Sequence, residues 1–252
     1  MIDNNPFFLV GCVRSGTTLL RDLLRQHPRL ESPEETHYFR WADPFGSDPY
    51  RRRYRNSPLL KRHRALDGID EELFQQTLES SGSRRQLMDA HGAEFLKYRQ
   101  NPDGRWFDKT PQNVYGTLLI SAAYPEARFV HLHRHPLNVV ASLMEGAVMP
   151  VHSLDAAISY WVEAVGILEQ FKRIATDRLL EISYESLSSD PLPTVSKILE
   201  FIGEDPEAYP GYKPKVHPER NKYREKLSAA QVDQVLEGTA PYLDRYGYDG
   251  SV

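Results

Sequence analysis

The chain has 252 residues, of which 40% are hydrophobic and 26% charged, and its formal net charge is −4 at pH 7. Such values are typical of one globular domain with a large core, and they argue against a chain built to coat nucleic acid or an anionic membrane. No apolar stretch approaches the ~20 residues needed to span a bilayer, and no secretory signal is visible. Cys12 is the only cysteine, which excludes an internal disulfide and a cysteine-rich metal site. We expect a cytoplasmic protein with neither nucleic-acid nor membrane partners.

Predicted strands and helices alternate along the chain. The strands are predicted at 7–10, 105–108, 128–134 and 179–183, with a short extended piece at 29–31. The helices are predicted from 17 to about 27, at 111–123, from 137, at 154–176 and at 192–203. This alternation predicts an α/β fold, a P-loop-type parallel β-sheet flanked by helices on both faces.

The domain organisation follows from the same pattern. We expect a single domain over residues 1–252, with a helical or loop insertion at about 41–100 and a C-terminal loop and helices at about 205–252. Residues 70–98 are predicted to be helical, with breaks around Gly82 and Gly92.

The stretch after the first strand has the pattern of a phosphate-binding loop. Gly11 to Gly16 is a polar turn bounded by glycines, and the first helix begins at Thr17. Backbone N–H groups can hold a phosphate at such a helix N-terminus. Thr17 stands where a triphosphatase has its lysine, and the chain offers no apolar strand ending in the aspartate that would hold Mg²⁺. The loop therefore favours a terminal phosphate without a γ-group, and no metal is expected.

Candidate binding residues follow the other predicted strands. Lys109 follows the second strand, Arg134 the third and Tyr184 the fourth. The carboxyl ends of parallel strands meet at one edge of a sheet, where ligands bind. We expect these side chains and the phosphate loop to line one crevice.

Two motifs in this order resemble the PAPS-dependent sulfotransferases. One is the loop Gly11–Thr18, and the other is Arg134 followed by Ser142, about two turns into the next helix. The resemblance is closest to the tyrosylprotein sulfotransferases and their compact bacterial relatives, over roughly residues 6–225. The ungapped matches to that branch are Arg14–Leu19, His27–Pro28 and Glu34–Thr36. The resemblance implies metal-independent transfer of a sulfuryl group from 3′-phosphoadenylyl sulfate (PAPS) to a hydroxyl or, less readily, an amine.

The resemblance also implies a role for each matching residue. Glu35 is the implied catalytic base, and Lys109 and Arg14 neutralise charge on the transferring group. The implied donor-binding residues are Arg14, Ser15, Gly16, Thr17 and Thr18 at the 5′-phosphate, Arg134 and Ser142 at the 3′-phosphate, Tyr184 near the adenosine, and Lys222 in a late basic loop that matches only loosely.

Several alternatives stay open. His37 stands where the family has an arginine, and it is a rival base because other sulfotransferases use histidine. Residues 51–64 hold seven Lys or Arg and no acid, which indicates either a solvated helix face or a surface that recognises an anionic acceptor. A P-loop kinase and a non-catalytic nucleotide-binding protein are the alternative functions.

The acceptor is expected to be a small molecule, aromatic or anionic, with a tyrosine or peptide acceptor as the alternative. Its pocket would be built by residues 36–100 and by the loops at 145–155 and 205–225. The product of the donor would be adenosine 3′,5′-bisphosphate (PAP). The oligomeric state is open, a homodimer being one option.

Overall fold

A computed structural model describes residues 5–146, 151–175, 177–210, 216 and 218–248. In these ranges five strands form one sheet with the order β2-β3-β1-β4-β5, and every pairing is parallel. The strands are β1 (Phe7–Val10), β2 (Leu30–Glu31), β3 (Arg105–Lys109), β4 (Phe129–His133) and β5 (Leu179–Ser183). Strand β1 lies at the centre of the sheet. The next two strands in the chain, β2 and β3, lie on one side of β1, and β4 and β5 lie on the other. The strand order therefore reverses at the carboxyl end of β1.

Twelve α-helices lie in the described ranges. They are α1 (Thr17–Leu24), α2 (Asp48–Asn56), α3 (Pro58–Leu66), α4 (Glu71–Ser80), α5 (Arg84–Tyr98), α6 (Thr117–Ala123), α7 (Pro136–Glu145), α8 (Leu154–Lys172), α9 (Tyr184–Ser189), α10 (Pro191–Ile202), α11 (Tyr223–Lys226) and α12 (Ala229–Leu243). Short 3₁₀ turns cover Pro111–Gly116, Pro206–Ala208 and Asp244–Tyr246. No helix of the described residues has the length and apolarity to cross a membrane.

Both faces of the sheet are buried, which explains the unbroken apolar run of β1. Phe8 and Val10 belong to the larger core, with residues of α7, α8 and α12. Phe7 and Leu9 belong to a second core on the opposite face, with residues of α1 and α10. Successive side chains of a strand point to opposite faces, so a strand covered on both sides is apolar throughout. The predicted fold, a parallel sheet with helices on both faces, is confirmed.

The segment predicted as an insertion at 41–100 contains four helices, α2 to α5. The predicted break near Gly82 falls between α4 and α5, but the break predicted at Gly92 is wrong, because Gly92 lies inside α5. A Cβ at Gly92 would lie 2.5 Å from ring atoms of Trp106 on β3. The missing side chain therefore lets α5 pack against the sheet.

The basic segment at 51–64 is partly paired with acids of the surrounding helices and loops. Four of its arginines form ion pairs with acids outside the segment. The pairs are Arg51 and Arg55 with Glu79, Arg53 with Asp43, and Arg64 with Glu71. Much of the local positive charge is thus neutralised by residues that lie elsewhere in the sequence.

Other predicted bounds differ by a few residues. The helix predicted at 111–123 begins as a 3₁₀ turn, Pro111–Gly116, and becomes α-helical only at α6. The predicted loops at 145–155 and 205–225 lie partly outside the described residues.

Candidate active site

The loop between β1 and α1 forms one wall of the site. Arg14 and Gly16 adopt left-handed backbone conformations, with φ of 71° and 93°. A Cβ at Gly16 would lie 2.4 Å from the ring of Tyr184, so this position requires glycine for both its backbone and its neighbour. The first N–H groups of α1 have no partner inside the helix. The loop thus presents main-chain donors and the exposed Arg14 at the carboxyl edge of the sheet.

A cleft of about 550 Å³ opens beside this loop. It is lined by Arg14, Arg134, Asn138, Ala141, Ser142, Glu145, Tyr184, Pro218, Glu219, Arg220 and Lys222. Five of these, namely Arg14, Arg134, Ser142, Tyr184 and Lys222, are residues that the sequence predicted for donor binding. The structure therefore brings together side chains from four separate parts of the chain, as expected for the carboxyl ends of neighbouring strands.

Direct contacts tie the two arginines to one another. The Nε of Arg14 donates a hydrogen bond to Oγ of Ser142 at 3.0 Å. The guanidinium of Arg134 donates to the carbonyl oxygen of Arg14 at 3.3 Å and lies 4.4 Å from the centre of the Tyr184 ring. Arg14 and Arg134 therefore lie on the same side of the sheet, within reach of one ligand.

The remaining residues of the phosphate loop contribute differently. Ser15 is fully buried, and its Oγ has no hydrogen-bond partner among the described residues. Thr17 is buried and Thr18 is exposed at the start of α1. None of these side chains lines the cleft. Of the side chains between Arg14 and Thr18, only that of Arg14 lines the cleft.

A second group of residues lies at the carboxyl end of β3. Lys109, the last residue of that strand, donates to Oε1 of Glu35 at 2.6 Å. The other carboxylate oxygen of Glu35 lies 3.4 Å from Nε2 of His37. The ring of His63 contacts the carbonyl oxygen of Glu35 at 2.9 Å. The predicted base, its rival and the predicted lysine are therefore direct neighbours.

Burial and charge leave both candidate bases unprotonated at neutral pH. Burial alone would raise the pKa of the Glu35 carboxyl, but the charge and hydrogen bond of Lys109 outweigh it, and the net pKa lies below its ordinary value. Burial lowers the pKa of His37 to about 4, against the opposing pull of Glu35. At neutral pH Glu35 is a carboxylate and His37 is a neutral imidazole, so each is able to accept a proton.

A buried carboxylate that the sequence analysis missed holds this turn in place. Asp108 accepts hydrogen bonds from Thr36 at 2.8 Å, Thr110 at 3.1 Å and Asn113 at 2.7 Å. Burial raises the pKa of Asp108 to about 6. The turn that carries Glu35 is thereby fixed against the end of β3. The signal that the sequence offered for this role was an acidic residue inside a strand that is buried along its whole length.

A similar network supports the other side of the cleft. Glu185, next to Tyr184, accepts a hydrogen bond from the backbone N–H of His135 at 2.9 Å. The hydroxyl of Tyr248 lies 3.2 Å from the Glu185 carboxylate and 2.6 Å from Nδ1 of His133. The C-terminal Tyr248 thus helps to fix the turn that follows β4, a role that its sequence position does not reveal.

An aromatic and cationic group adjoins Glu35. The ring of Trp41 lies 5.5 Å from that of His37, with the guanidinium carbons of Arg40 and Arg53 at 5.0 and 4.5 Å from its centre. Arg53 is paired with Asp43 at 2.7 Å. Within the described residues Arg40 has no ion-pair partner, and its guanidinium is half-buried. An unpaired cation on an aromatic surface is suited to an anionic ligand.

Two further observations concern metal-ligating side chains and the single cysteine. No group of three or more His, Cys, Asp or Glu side chains in the described part of the chain is arranged to hold a metal ion. Burial raises the pKa of the Cys12 thiol far above its usual range. Cys12 is therefore a protonated, space-filling residue of the core.

The fold and the cleft define the class of protein. A glycine-bounded loop after the central strand, with basic side chains at the neighbouring strand ends, is an arrangement suited to a phosphorylated ligand. The model of the sulfotransferase family matches residues 6–208. The chain belongs to the sulfotransferase family and is an enzyme of that class.

Individual relatives agree with this assignment. The chain is 23% identical to the omega-hydroxy-beta-dihydromenaquinone-9 sulfotransferase Stf3 of Mycobacterium bovis, over 99% of this chain and 76% of that protein. It is 24% identical to a protein-tyrosine sulfotransferase of Drosophila melanogaster, over 77% of this chain and 37% of that protein. The resemblance seen in the sequence is confirmed.

Solved structures share the fold. The sulfotransferase domain of the Synechococcus PCC 7002 olefin synthase superposes with a TM-score of 0.65 at 24% identity, covering 99% of this chain and 97% of that domain. Mouse sulfotransferase SULT7A1, complexed with PAP, superposes with a TM-score of 0.52 at 13% identity, covering 96% of this chain and 85% of that one.

Proposed function

We propose that the protein transfers a sulfuryl group from PAPS to the hydroxyl of a small-molecule acceptor, with Glu35 as general base. The observation that carries this proposal is the juxtaposition of two sites at one edge of the sheet. Arg14, Arg134 and Ser142 meet in a basic cleft, and the Lys109–Glu35 pair lies at the end of the strand next to β1. One site suits a nucleotide with two phosphate groups, and the other suits proton removal.

The cleft fits such a donor in size and in chemistry. Its volume of about 550 Å³ lies within the ~300–1,000 Å³ typical of small-molecule sites. Asn138 lines it and has a buried Oδ1 without a partner among the described residues. The N–H groups at the start of α1 and Arg14 would hold the 5′-phosphate, and Arg134 with Ser142 the 3′-phosphate. A doubly phosphorylated nucleotide complexed with the mouse relative supports this assignment.

The proposed reaction needs one proton acceptor and positive charge at the leaving group. The acceptor hydroxyl gives its proton to the Glu35 carboxylate while its oxygen forms a bond to the sulfur. The bond between the sulfur and the bridging oxygen breaks, and the 5′-phosphate leaves as part of PAP. Lys109 and Arg14 stabilise the charge that develops on that oxygen. A sulfuryl group carries one negative charge fewer than a phosphoryl group, so side-chain cations and main-chain dipoles are adequate here.

The ionisation of Glu35 suits this role. Lys109 keeps the carboxyl ionised at neutral pH, so it is ready to accept a proton. When Lys109 engages the donor, its hydrogen bond to Glu35 weakens and the buried carboxylate becomes a stronger base. Donor binding and activation of the base are thereby linked through one lysine.

The acceptor site is proposed to lie beside His37, Arg40 and Trp41. The unpaired guanidinium of Arg40 and the indole of Trp41 support an acceptor with both anionic and aromatic character. The name of the Stf3 relative, which matches 99% of this chain, indicates action on a small molecule. A peptide tyrosine is the second candidate, since a protein-tyrosine sulfotransferase is also a relative.

The substitution Glu35→Gln tests the base. It removes proton acceptance while keeping the size of the side chain, and we expect turnover of 4-hydroxybenzoate with PAPS to fall by about 10²–10⁴-fold while PAP binding persists. Glu34→Gln is the matched control, because Glu34 contacts Arg21 at 3.1 Å rather than Lys109 and its loss should leave turnover within about twofold of wild type. If Glu35→Gln keeps nearly full turnover, Glu35 is not the base and the role is assigned to His37.

A further inference from the structure

The donor cleft contains a carboxylate of the chain itself. Nε of Arg134 donates a hydrogen bond to Oε2 of Glu219 at 2.6 Å, and a terminal guanidinium nitrogen of Arg134 forms an ion pair with the same oxygen at 2.6 Å. The other oxygen, Oε1, accepts the backbone N–H groups of Arg220 at 2.9 Å and Asn221 at 3.3 Å. Four donors from two separate parts of the chain therefore converge on one carboxylate.

These donors are of the kind that bind a phosphate group. A guanidinium fork and consecutive backbone N–H groups form sites for anions of either sort, carboxylate or phosphate. The side chains of Arg134 and Glu219 are only 16% and 13% exposed. The contact is therefore a shielded ion pair, unlike the solvated surface pairs that contribute little.

Arg134 itself is held in place from other directions. Its guanidinium lies on the ring of Tyr184 and donates to the carbonyl oxygen of Arg14. Its own carbonyl oxygen accepts a hydrogen bond from the indole of Trp161 at 3.0 Å. An anion arriving at Arg134 meets a fixed guanidinium, so the carboxylate of Glu219 is the partner that must yield.

We propose that Glu219 is a built-in competitor for the 3′-phosphate of the donor and product. This inference rests on the proposed function, since it takes Arg134 to be the 3′-phosphate ligand. A phosphate monoester carries a charge of about −1.5 to −2 against −1 for a carboxylate, so it displaces Glu219. The apparent dissociation constant is then the intrinsic constant divided by the fraction of molecules in which Arg134 is free of Glu219.

The consequence falls on donor and product alike. PAPS and PAP both carry the 3′-phosphate, so Glu219 weakens the binding of each. Its return to Arg134 also speeds the departure of PAP after transfer. Nucleotides without a 3′-phosphate leave the Arg134–Glu219 pair intact, and their affinity does not depend on Glu219.

The test compares two nucleotides and two variants by calorimetry. Glu219→Gln removes the charge but keeps an oxygen for the N–H groups of Arg220 and Asn221. We expect PAP to bind roughly tenfold more tightly to this variant than to wild type, and adenosine 5′-monophosphate to bind within about twofold. Dissociation of PAP, followed by stopped flow, should slow by a similar factor. Glu219→Ala should tighten PAP binding by a similar factor. This second variant keeps the test decisive if the glutamine side chain disturbs the loop.

A control separates competition from a general charge effect. Glu145 lines the same cleft but pairs with Lys226 at 2.6 Å, so Glu145→Gln removes one negative charge without freeing Arg134. PAP affinity should change by less than about threefold in this variant. Thermal unfolding of each variant verifies folding.

The outcomes are distinguishable. If PAP binds wild type but binds the Glu219 variants no more tightly, Glu219 only orders its loop and the inference is wrong. If adenosine 5′-monophosphate tightens as much as PAP, the effect is nonspecific and the inference is equally wrong. If PAP binds neither wild type nor variants, the proposed donor itself fails.

Discussion

The substitution Gly16→Ala tests how the phosphate loop and Tyr184 cooperate in donor binding. A methyl group at this position would lie 2.4 and 2.6 Å from two carbon atoms of the Tyr184 ring, whereas carbon atoms pack at about 3.5–4.0 Å. The ring or the loop must therefore move by about 1 Å. The guanidinium of Arg134 lies 4.4 Å from the centre of this ring, so movement of the ring would disturb Arg134 as well as the loop after β1.

Gly203→Ala is the matched control. Gly203 has φ of 84°, close to the 93° of Gly16, so both substitutions bear a similar backbone cost of about 1–2 kcal/mol. At Gly203 the new methyl group would meet only the end of the flexible Arg128 side chain, at 3.2 Å. Gly203 directly follows α10, whose final carbonyl, that of Ile202, contacts Arg105 at the start of β3. It therefore lies at the edge of the sheet opposite the cleft.

The assay is PAP binding by calorimetry, with thermal unfolding of both variants as the measure of stability. We expect both variants to lose a similar amount of stability from the backbone. Gly203→Ala should bind PAP like wild type, and Gly16→Ala should bind it at least about tenfold more weakly, since a misplacement of about 1 Å is costly in a preorganised site. Equal PAP affinity in the two variants would refute the assigned contact between the loop and Tyr184.

Three further predictions concern the catalytic turn and the acceptor. Lys109→Met removes the cation that lowers the pKa of Glu35, so the acid limb of the pH profile of kcat/KM should move to higher pH. Lys109→Arg keeps a cation there and should return the acid limb toward its wild-type position. An acid limb that does not move in Lys109→Met would contradict the pairing of Lys109 with Glu35. Burial raises the pKa of Asp108 to about 6, so the contribution of Asp108 to the stability of wild type falls as pH rises from about 4 to 6. The stability of Asp108→Asn relative to wild type, measured by thermal melts, should therefore improve over that range, and a constant difference would count against the raised pKa. Arg40→Met should lower kcat/KM for 4-hydroxybenzoate about tenfold or more but spare the neutral 4-hydroxybenzamide; equal losses on both phenols would remove Arg40 from acceptor recognition.

The sequence predicted the sheet and the cleft because both depend on short-range patterns. A four-residue apolar run such as Phe7–Val10, followed by a glycine-bounded turn, is typical of a strand covered on both faces. The topology of parallel strands then brings their carboxyl ends together. That rule predicted a common edge for Lys109, Arg134 and Tyr184, and the family resemblance supplied their implied roles. Their convergence needed no knowledge of side-chain packing.

The parts that sequence reasoning missed depend on contacts between distant segments. Glu219 reaches Arg134 across 85 positions and Tyr248 reaches Glu185 across 63, and no local pattern marks either. The helix break predicted at Gly92 was wrong because glycine is needed there to leave space for the ring of Trp106. That contact forms only when the helix packs against the sheet, so the local sequence does not show it.

The most direct test of the central claim is the calorimetric affinity of the protein for PAP against that for ATP, each with and without Mg²⁺. A cleft that holds one phosphate at the β1 loop and another at Arg134 predicts tight binding of PAP that is independent of Mg²⁺, and much weaker binding of ATP. Preferential binding of ATP that requires Mg²⁺ would instead indicate a kinase and contradict the proposed donor.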